Sequence, residues 1–253
     1  MSEPSSTPAE APAPPADSRA QERTPEEESR TGKNLIRVVA IFAWWFGSLF
    51  LAAGRLNWIR GWISVALFIV GMSAVRLVVR HYNAPVLKAR AKWRHKDTKL
   101  FDKVFLALYL PLISIQPLVG GLDGGRYHRT SMPFSFAYAG VFLFALSLWL
   151  ITWVMLVNPF AESSVRIQND RGHTVMTSGP YRFVRHPMYV GVIFLNVANA
   201  LIWGSVWALN LAAVIAVMLI WRTSCEDRTL LQELAGYEQY AAGTRYRLVP
   251  GLW

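Results

Sequence analysis

One cysteine, Cys225, occurs in 253 residues, so no internal disulfide can staple the chain and its stability must come from packing. Charge is scarce as well. Asp, Glu, Lys and Arg make up 17% of the residues, where an ordinary soluble domain carries about a quarter. Aromatic residues are missing from Met1 to Lys33, where Pro, Ala, Ser, Thr and Glu dominate. Such a stretch buries too little apolar surface to offset its ordering entropy, so residues 1–33 read as a disordered tail. It does not read as a signal peptide, because no basic segment opens the chain and the first apolar run starts only near Leu35. Glycine loops of the nucleotide-binding kinds are lacking, which argues against a soluble Rossmann-type domain. Metal-ligand spacing is lacking too: His81, His95 and His128 are scattered, and His173 and His186 have no further ligands beside them.

What is abundant is apolar surface. Hydrophobic residues make up 53% of the chain, 11 of them Trp, and they cluster into runs of the length a bilayer requires. The runs cover Leu35–Ala53, Trp62–Val79, Val104–Val119 (broken by Pro111 and Pro117), Phe134–Val157, Met188–Trp203 and Ser205–Trp221. The last two are separated only by Gly204 and read as a helical hairpin. Arg37 and Arg76 fall near run ends, where a long side chain can snorkel; at the bilayer centre either would cost roughly 2.5–3.5 kcal/mol. The fold expected is therefore all-α: a polytopic membrane protein of about five to six transmembrane helices.

A formal net charge of +10 could point to nucleic acid, but the Lys and Arg residues concentrate between the apolar runs. The segment Arg80–Lys103, with Lys88, Arg90, Lys92, Arg94, Lys96 and Lys99, is the strongest case. That is the bias of cytoplasmic loops, and no nucleic-acid partner is expected. An even number of crossings then places both termini and the Asn158–His186 connection on the cytoplasmic side.

Two polar regions interrupt this pattern. The first runs from Gln168 to Gly191 and includes Gly179-Pro180-Tyr181-Arg182-Phe183-Val184-Arg185-His186-Pro187-Met188-Tyr189. Pro187 disfavours helix at His186 and suits the first position of the helix that follows. Arg185, His186 and Tyr189 thus sit at a helix mouth, where free N–H groups favour an anionic ligand. Singly, each of these side chains reads equally well as an interfacial anchor. The second region starts at Arg222 and Glu226, four apart on one helix face, where an intrahelical ion pair is the plain alternative to a chemical role. Asp227 and Arg228 read as solvated or structurally paired, and Cys225 as a bystander. The chain closes on Arg247-Leu248-Val249-Pro250-Gly251.

The Arg185-His186-Pro187-x-Tyr189 element, with Arg222-x-x-x-Glu226-Asp227 and the closing Arg247–Gly251, resembles the isoprenylcysteine carboxyl methyltransferases and their phospholipid and thiol methyltransferase relatives. The likeness covers roughly Val165 to Trp253. It implies a cytoplasmic S-adenosylmethionine pocket built by the C-terminal third. By position, Gln168, His173, Thr174, Val175, Met176, Tyr181, His186, Pro187, Met188 and Tyr189 match cofactor-lining residues, with Arg185 beside them. Arg222 and Glu226 match a pair lying toward the acceptor. On that reading residues 34–157 form N-terminal membrane helices with a basic cytoplasmic loop, and residues 158–253 the methyltransferase core.

A sulfonium already activates its methyl group, so the protein has mainly to align nucleophile, methyl and sulfur. Arg222 is expected to orient the acceptor, and Glu226 to fix Arg222 or take a proton. The acceptor, a carboxylate, thiol or amine on a small or lipid-like molecule, stays open, as does the oligomeric state. Two rival readings stand beside this one: an NADPH-dependent membrane reductase of the sterol reductase type, which ends in a comparable Arg-His-x-x-Tyr element, and a non-catalytic membrane protein.

Overall fold

The computed structural model describes residues 25–91, 95–130 and 132–253, with side chains at 36 and from 39 onward. Residues 1–24 of the expected tail and the Arg37 side chain lie outside the described residues. The described part of the tail is helical: α1 spans Pro25–Ala53, starting with a proline at the position where its missing N–H costs nothing. The chain divides into two compact units, Met1–Phe42 and Ala43–Trp253. The core and the cavity described below lie within the second.

Helix α2 spans Ile59–Ala91, α3 Leu100–Gly120, α4 Ser135–Val157, α5 Pro187–Trp203, α6 Val206–Glu233 and α7 Tyr237–Gly243. Among the described residues there is no strand. Four stretches among the described residues are long and apolar enough to cross a membrane: Ile59–Ala91, Leu100–Tyr127, Ser135–Val157 and Val206–Glu233. The apolar part of α1 and the whole of α5 are shorter. At 1.5 Å per residue the 17 residues of α5 reach about 25 Å, just under the thickness of a hydrocarbon core.

Two helices outrun the apolar runs that mark them. Helix α2 continues past Val79 to Ala91, so Arg76 sits mid-helix and exposed, and half of the basic connection is helical. The helix breaks at Asn83 (φ −147°, ψ 57°), two residues before Pro85, and the Asn83 side chain donates to Met155 O at 2.8 Å. Helix α6 likewise runs twelve residues beyond Trp221, to Glu233. Its polar extension carries most of the chemistry-bearing groups of the second region. The α5–α6 hairpin closes through Gly204 (φ +71°), followed by Ser205, whose hydroxyl caps α6 by accepting from Ala208 N at 3.0 Å.

The loop after α3 begins as a wide π-helical turn, Gly121–Tyr127. Its glycines let backbones meet. A Cβ on Gly121 would lie 2.2 Å from Leu49 O, and one on Gly124 2.2 Å from Trp203 O, while Gly120 faces the fully buried Trp203 ring. The Gly-x-x-x-Gly spacing therefore seats α1 on one side of this turn and α5 on the other. Asp123 ties the turn to α6, accepting from Ser205 Oγ at 2.7 Å and Thr130 Oγ1 at 2.5 Å. We expect Gly124→Val to destabilise the protein by about 1–3 kcal/mol or more through overpacking, read as a lower thermal midpoint in detergent; an unchanged midpoint would contradict this packing.

In the core, α4 packs against both α2 and α5, α5 against α6, and α6 against α3. Leu49, Trp58, Phe144, Leu148, Ile202 and Trp203 form its largest cluster, at the end where the π-helical turn lies. The opposite end of the bundle is held by polar groups instead.

Candidate active site

The Asn158–His186 connection folds as an irregular roof over the ends of α4, α5 and α6. Gly179 starts its last turn with φ +60°, and an added Cβ would meet Trp153 Nε1 at 3.0 Å, so glycine is needed there on both counts. Pro187 takes the first position of α5, as the sequence predicts. The closing segment straps onto this helix mouth: Arg185 N donates to Tyr246 O and His186 N to Arg247 O, both at 2.9 Å.

Beneath the roof lies a cavity with about 850 Å³ of empty space, part of it open to solvent. Every residue that lines it falls between Asn158 and Tyr240. Of the residues singled out from sequence, Gln168, His173, Thr174, Val175, Met176, Tyr181, Arg185, His186, Met188, Tyr189, Arg222 and Glu226 all line it; Pro187 does not. The fold thus brings together two regions that are more than thirty residues apart in the chain.

Asp227 is the hub of one wall. Although it lies on a helix surface in sequence terms, it is fully buried and so is not solvated; Arg228 beside it is exposed. Its carboxylate accepts from Tyr237 Oη at 2.8 Å and Arg247 Nε at 2.8 Å, with His186 Nε2 at 3.3 Å and Arg185 Nε at 3.4 Å. One carboxylate therefore joins α6, α7, the closing segment and the mouth of α5. Burial, and then the Asp227 charge, hold the Tyr237 phenol far above its ordinary value, so it stays a proton donor. Tyr240, pushed up to about 12 by burial, donates to Tyr181 O at 2.8 Å. An Nε2–H of His186 facing Asp227 leaves Nδ1 toward Glu226, whose Oε2 is 4.0 Å away.

Glu226 and Arg222 do not pair with each other. Glu226 accepts from the Tyr189 hydroxyl in a short hydrogen bond. Arg222 finds its carboxylate on α3, with Nη2 2.8 Å from Asp102 Oδ1, and donates to Ser163 O at 3.0 Å. Its guanidinium carbon lies over two rings, 4.5 Å from the Phe105 centroid and 5.1 Å from that of Tyr189. The Arg222 Nε–H is buried without a hydrogen-bond partner. The expected role of Glu226 in fixing Arg222 thus falls to Asp102, because side chains pointing along α6 find nearer partners on α3 and α5.

The far wall holds residues that sequence reasoning passed over. Glu162 takes both ends of Arg166, at 2.9 and 3.1 Å, with Arg171 and His95 also in range. Those hydrogen bonds raise the Arg166 guanidinium even above its usual range. Gln168 is spent on the protein itself, donating to Phe160 O at 2.7 Å and accepting from Arg171 at 2.6 Å. Burial pushes the His173 imidazole below its ordinary value, and the ring, neutral at pH 7, packs 4.7 Å from Phe160. Asn158 donates to the Tyr181 hydroxyl at 2.6 Å. The dense charge of Glu162–Arg171 was the one signal that could have marked this wall in advance.

Comparison with known proteins gives one family match. Residues 136–236 match the model of the phospholipid methyltransferases. No curated protein matches the chain. The matched segment runs from α4 to the start of α7 and carries nearly the whole cavity lining. Residues 136–236, about two fifths of the chain, are thus similar to the phospholipid methyltransferases, and this segment lies among helices long and apolar enough to cross a membrane.

Proposed function

We propose that the protein moves a methyl group from S-adenosylmethionine to an amphiphilic acceptor whose nucleophile is anionic. The observation that carries this reading is the cavity that joins the Gln168–Tyr189 residues to Arg222 and Glu226 on α6. Its lining offers the rings of Phe160, Tyr181 and Tyr240, the carboxylate of Glu226, and the cations Arg166 and Arg185, a mixture that matches adenine, sulfonium and amino-acid ends of the donor. The sulfonium supplies a methyl group already activated for displacement.

The chain's own part is alignment. As the acceptor's lone pair forms its bond to the methyl carbon, the carbon–sulfur bond breaks and its electron pair stays on sulfur as a neutral thioether. Arg222, with an unpartnered Nε–H, supports an acceptor carboxylate or thiolate. Glu226, held by Tyr189, offers a proton acceptor for an acceptor that arrives protonated.

The test is transfer of labelled methyl from S-adenosylmethionine to three acceptors: N-acetyl-S-farnesylcysteine, a small alkane thiol, and phosphatidylethanolamine in vesicles. Labelling of the farnesylcysteine carboxylate or the thiol supports the reading. Labelling of the phosphatidylethanolamine amine alone contradicts the anionic acceptor, and no labelling of any by folded protein contradicts the activity.

We further assign the cavity to the cytoplasmic side. Arg90 donates to Ala161 O at 2.9 Å and Lys99 pairs with Glu233 at 2.6 Å, so the basic connection sits at the cavity end of the bundle. By the charge rule for loops that end faces the cytoplasm, with both termini. Lys96→Cys in a Cys225→Ser background should react with an impermeant maleimide only in opened cells; labelling in intact cells would reverse the orientation.

A further inference from the structure

We infer that Asp102, on α3 and outside the family-matched segment, is a positioning residue: its carboxylate locks the Arg222 guanidinium to the Ser163–Val165 wall and thereby sets where the acceptor is held. The inference rests on the reading of Arg222 as the acceptor's partner.

Asp102 lies in the first turn of α3 and is fully buried. A carboxylate in such a place needs partners for both oxygens. Oδ2 accepts from Val165 N at 2.7 Å, and Oδ1 lies 2.8 Å from Arg222 Nη2. Val165 O in turn accepts from Lys99 N at 3.1 Å, so the start of α3 grips both backbone groups of that residue. Arg222 closes the triangle by donating to Ser163 O. Phe105, three residues after Asp102 and so on the same helix face, lies against the guanidinium with its centroid 4.5 Å away, and the Tyr189 ring packs there too at 5.1 Å. Helix α3 therefore meets the Arg222 group with both a carboxylate and a ring. Ser164 and Val165 line the cavity, as Arg222 does. Without Asp102 the guanidinium keeps one protein hydrogen bond, to Ser163 O, and two ring contacts, and loses its only charged partner within 4.0 Å among the described residues.

A merely structural role would weaken donor and acceptor handling together; positioning predicts a split. In Asp102→Asn, S-adenosylhomocysteine affinity should stay within about threefold of wild type, while kcat/KM for whichever of the three acceptors turns over falls about 30-fold or more. Placed on Arg222→Lys, the same change should cost less than about threefold further, because its effect passes through Arg222. Equal losses in donor and acceptor, full additivity with Arg222→Lys, or undiminished turnover would each overturn the proposal. Should Asp102→Asn not fold, Asp102→Glu keeps the charge on a longer stem and carries the same expectations. An arm free of any acceptor is hydrogen exchange over residues 160–168, which should speed up about tenfold in either variant; unchanged exchange contradicts the lock. Failure of wild type to bind S-adenosylhomocysteine would remove the donor reading instead, leaving the exchange arm to decide on Asp102.

Discussion

Arg222→Lys should lower acceptor turnover by about 100-fold while leaving affinity for S-adenosylhomocysteine within about threefold, as expected for loss of one preorganised donor at the reacting centre. Lysine keeps the charge beside Asp102, so the change avoids the cost of about 3–5 kcal/mol that a buried carboxylate stripped of its partner would impose. What it removes is the planar fork. A guanidinium can meet Asp102 and Ser163 O with one nitrogen, lie against Phe105 and Tyr189, and still present Nε–H. An ammonium is a compact, strongly hydrated point charge and cannot do these together. Steady-state kinetics at saturating donor, beside calorimetry of the product complex, separate the two effects. Turnover within a few-fold of wild type would show that Arg222 is a structural cation and that the acceptor is held elsewhere.

The second large effect is expected at Asp227. Asp227→Asn keeps the size of the side chain but removes the one negative charge shared by Arg185, His186 and Arg247. Leaving Arg185 and Arg247 without a counter-charge should loosen the strap at the mouth of α5, lowering S-adenosylhomocysteine affinity at least about tenfold and the thermal midpoint with it. Here donor binding and stability fall together, in contrast to Arg222→Lys. A variant with normal donor affinity would mean that the strap is fixed by its backbone hydrogen bonds to Arg185 and His186 alone.

The sequence displayed some parts of this architecture openly and hid others for identifiable reasons. Apolar runs separated by basic segments mark a membrane bundle, and Pro187 after His186 marks the start of α5, because those signals are local. The spacing of Arg222 and Glu226 already carries α6 past Trp221, but how far it runs, to Glu233, was not visible, since hydrophobicity stops at Trp221 while helix-forming residues such as Glu226, Leu230 and Gln232 carry the backbone on. The pairing within the site was misread for a similar reason. Spacing places Arg222 and Glu226 on one face, but it says nothing of Asp102, 120 residues earlier, or of Tyr189, which take the two charges instead. Asp227 follows the same logic: only the tertiary arrangement shows that four cations and donors converge on it. Motif positions gathered twelve of the cavity-lining residues, whereas Asn158 and Glu162 on the opposite wall belong to no motif, and only the charge density of Glu162–Arg171 hinted at that wall.

The most direct measurement is calorimetric titration of S-adenosylhomocysteine into detergent-purified protein, with NADPH and His186→Ala run in parallel. The account predicts micromolar binding of S-adenosylhomocysteine to wild type, no heat from NADPH, and at least about tenfold weaker binding in His186→Ala, whose imidazole sits between Asp227 and Glu226 at the cavity wall. Folded wild type that binds NADPH and not S-adenosylhomocysteine would contradict it, and would make the cavity that of a reductase.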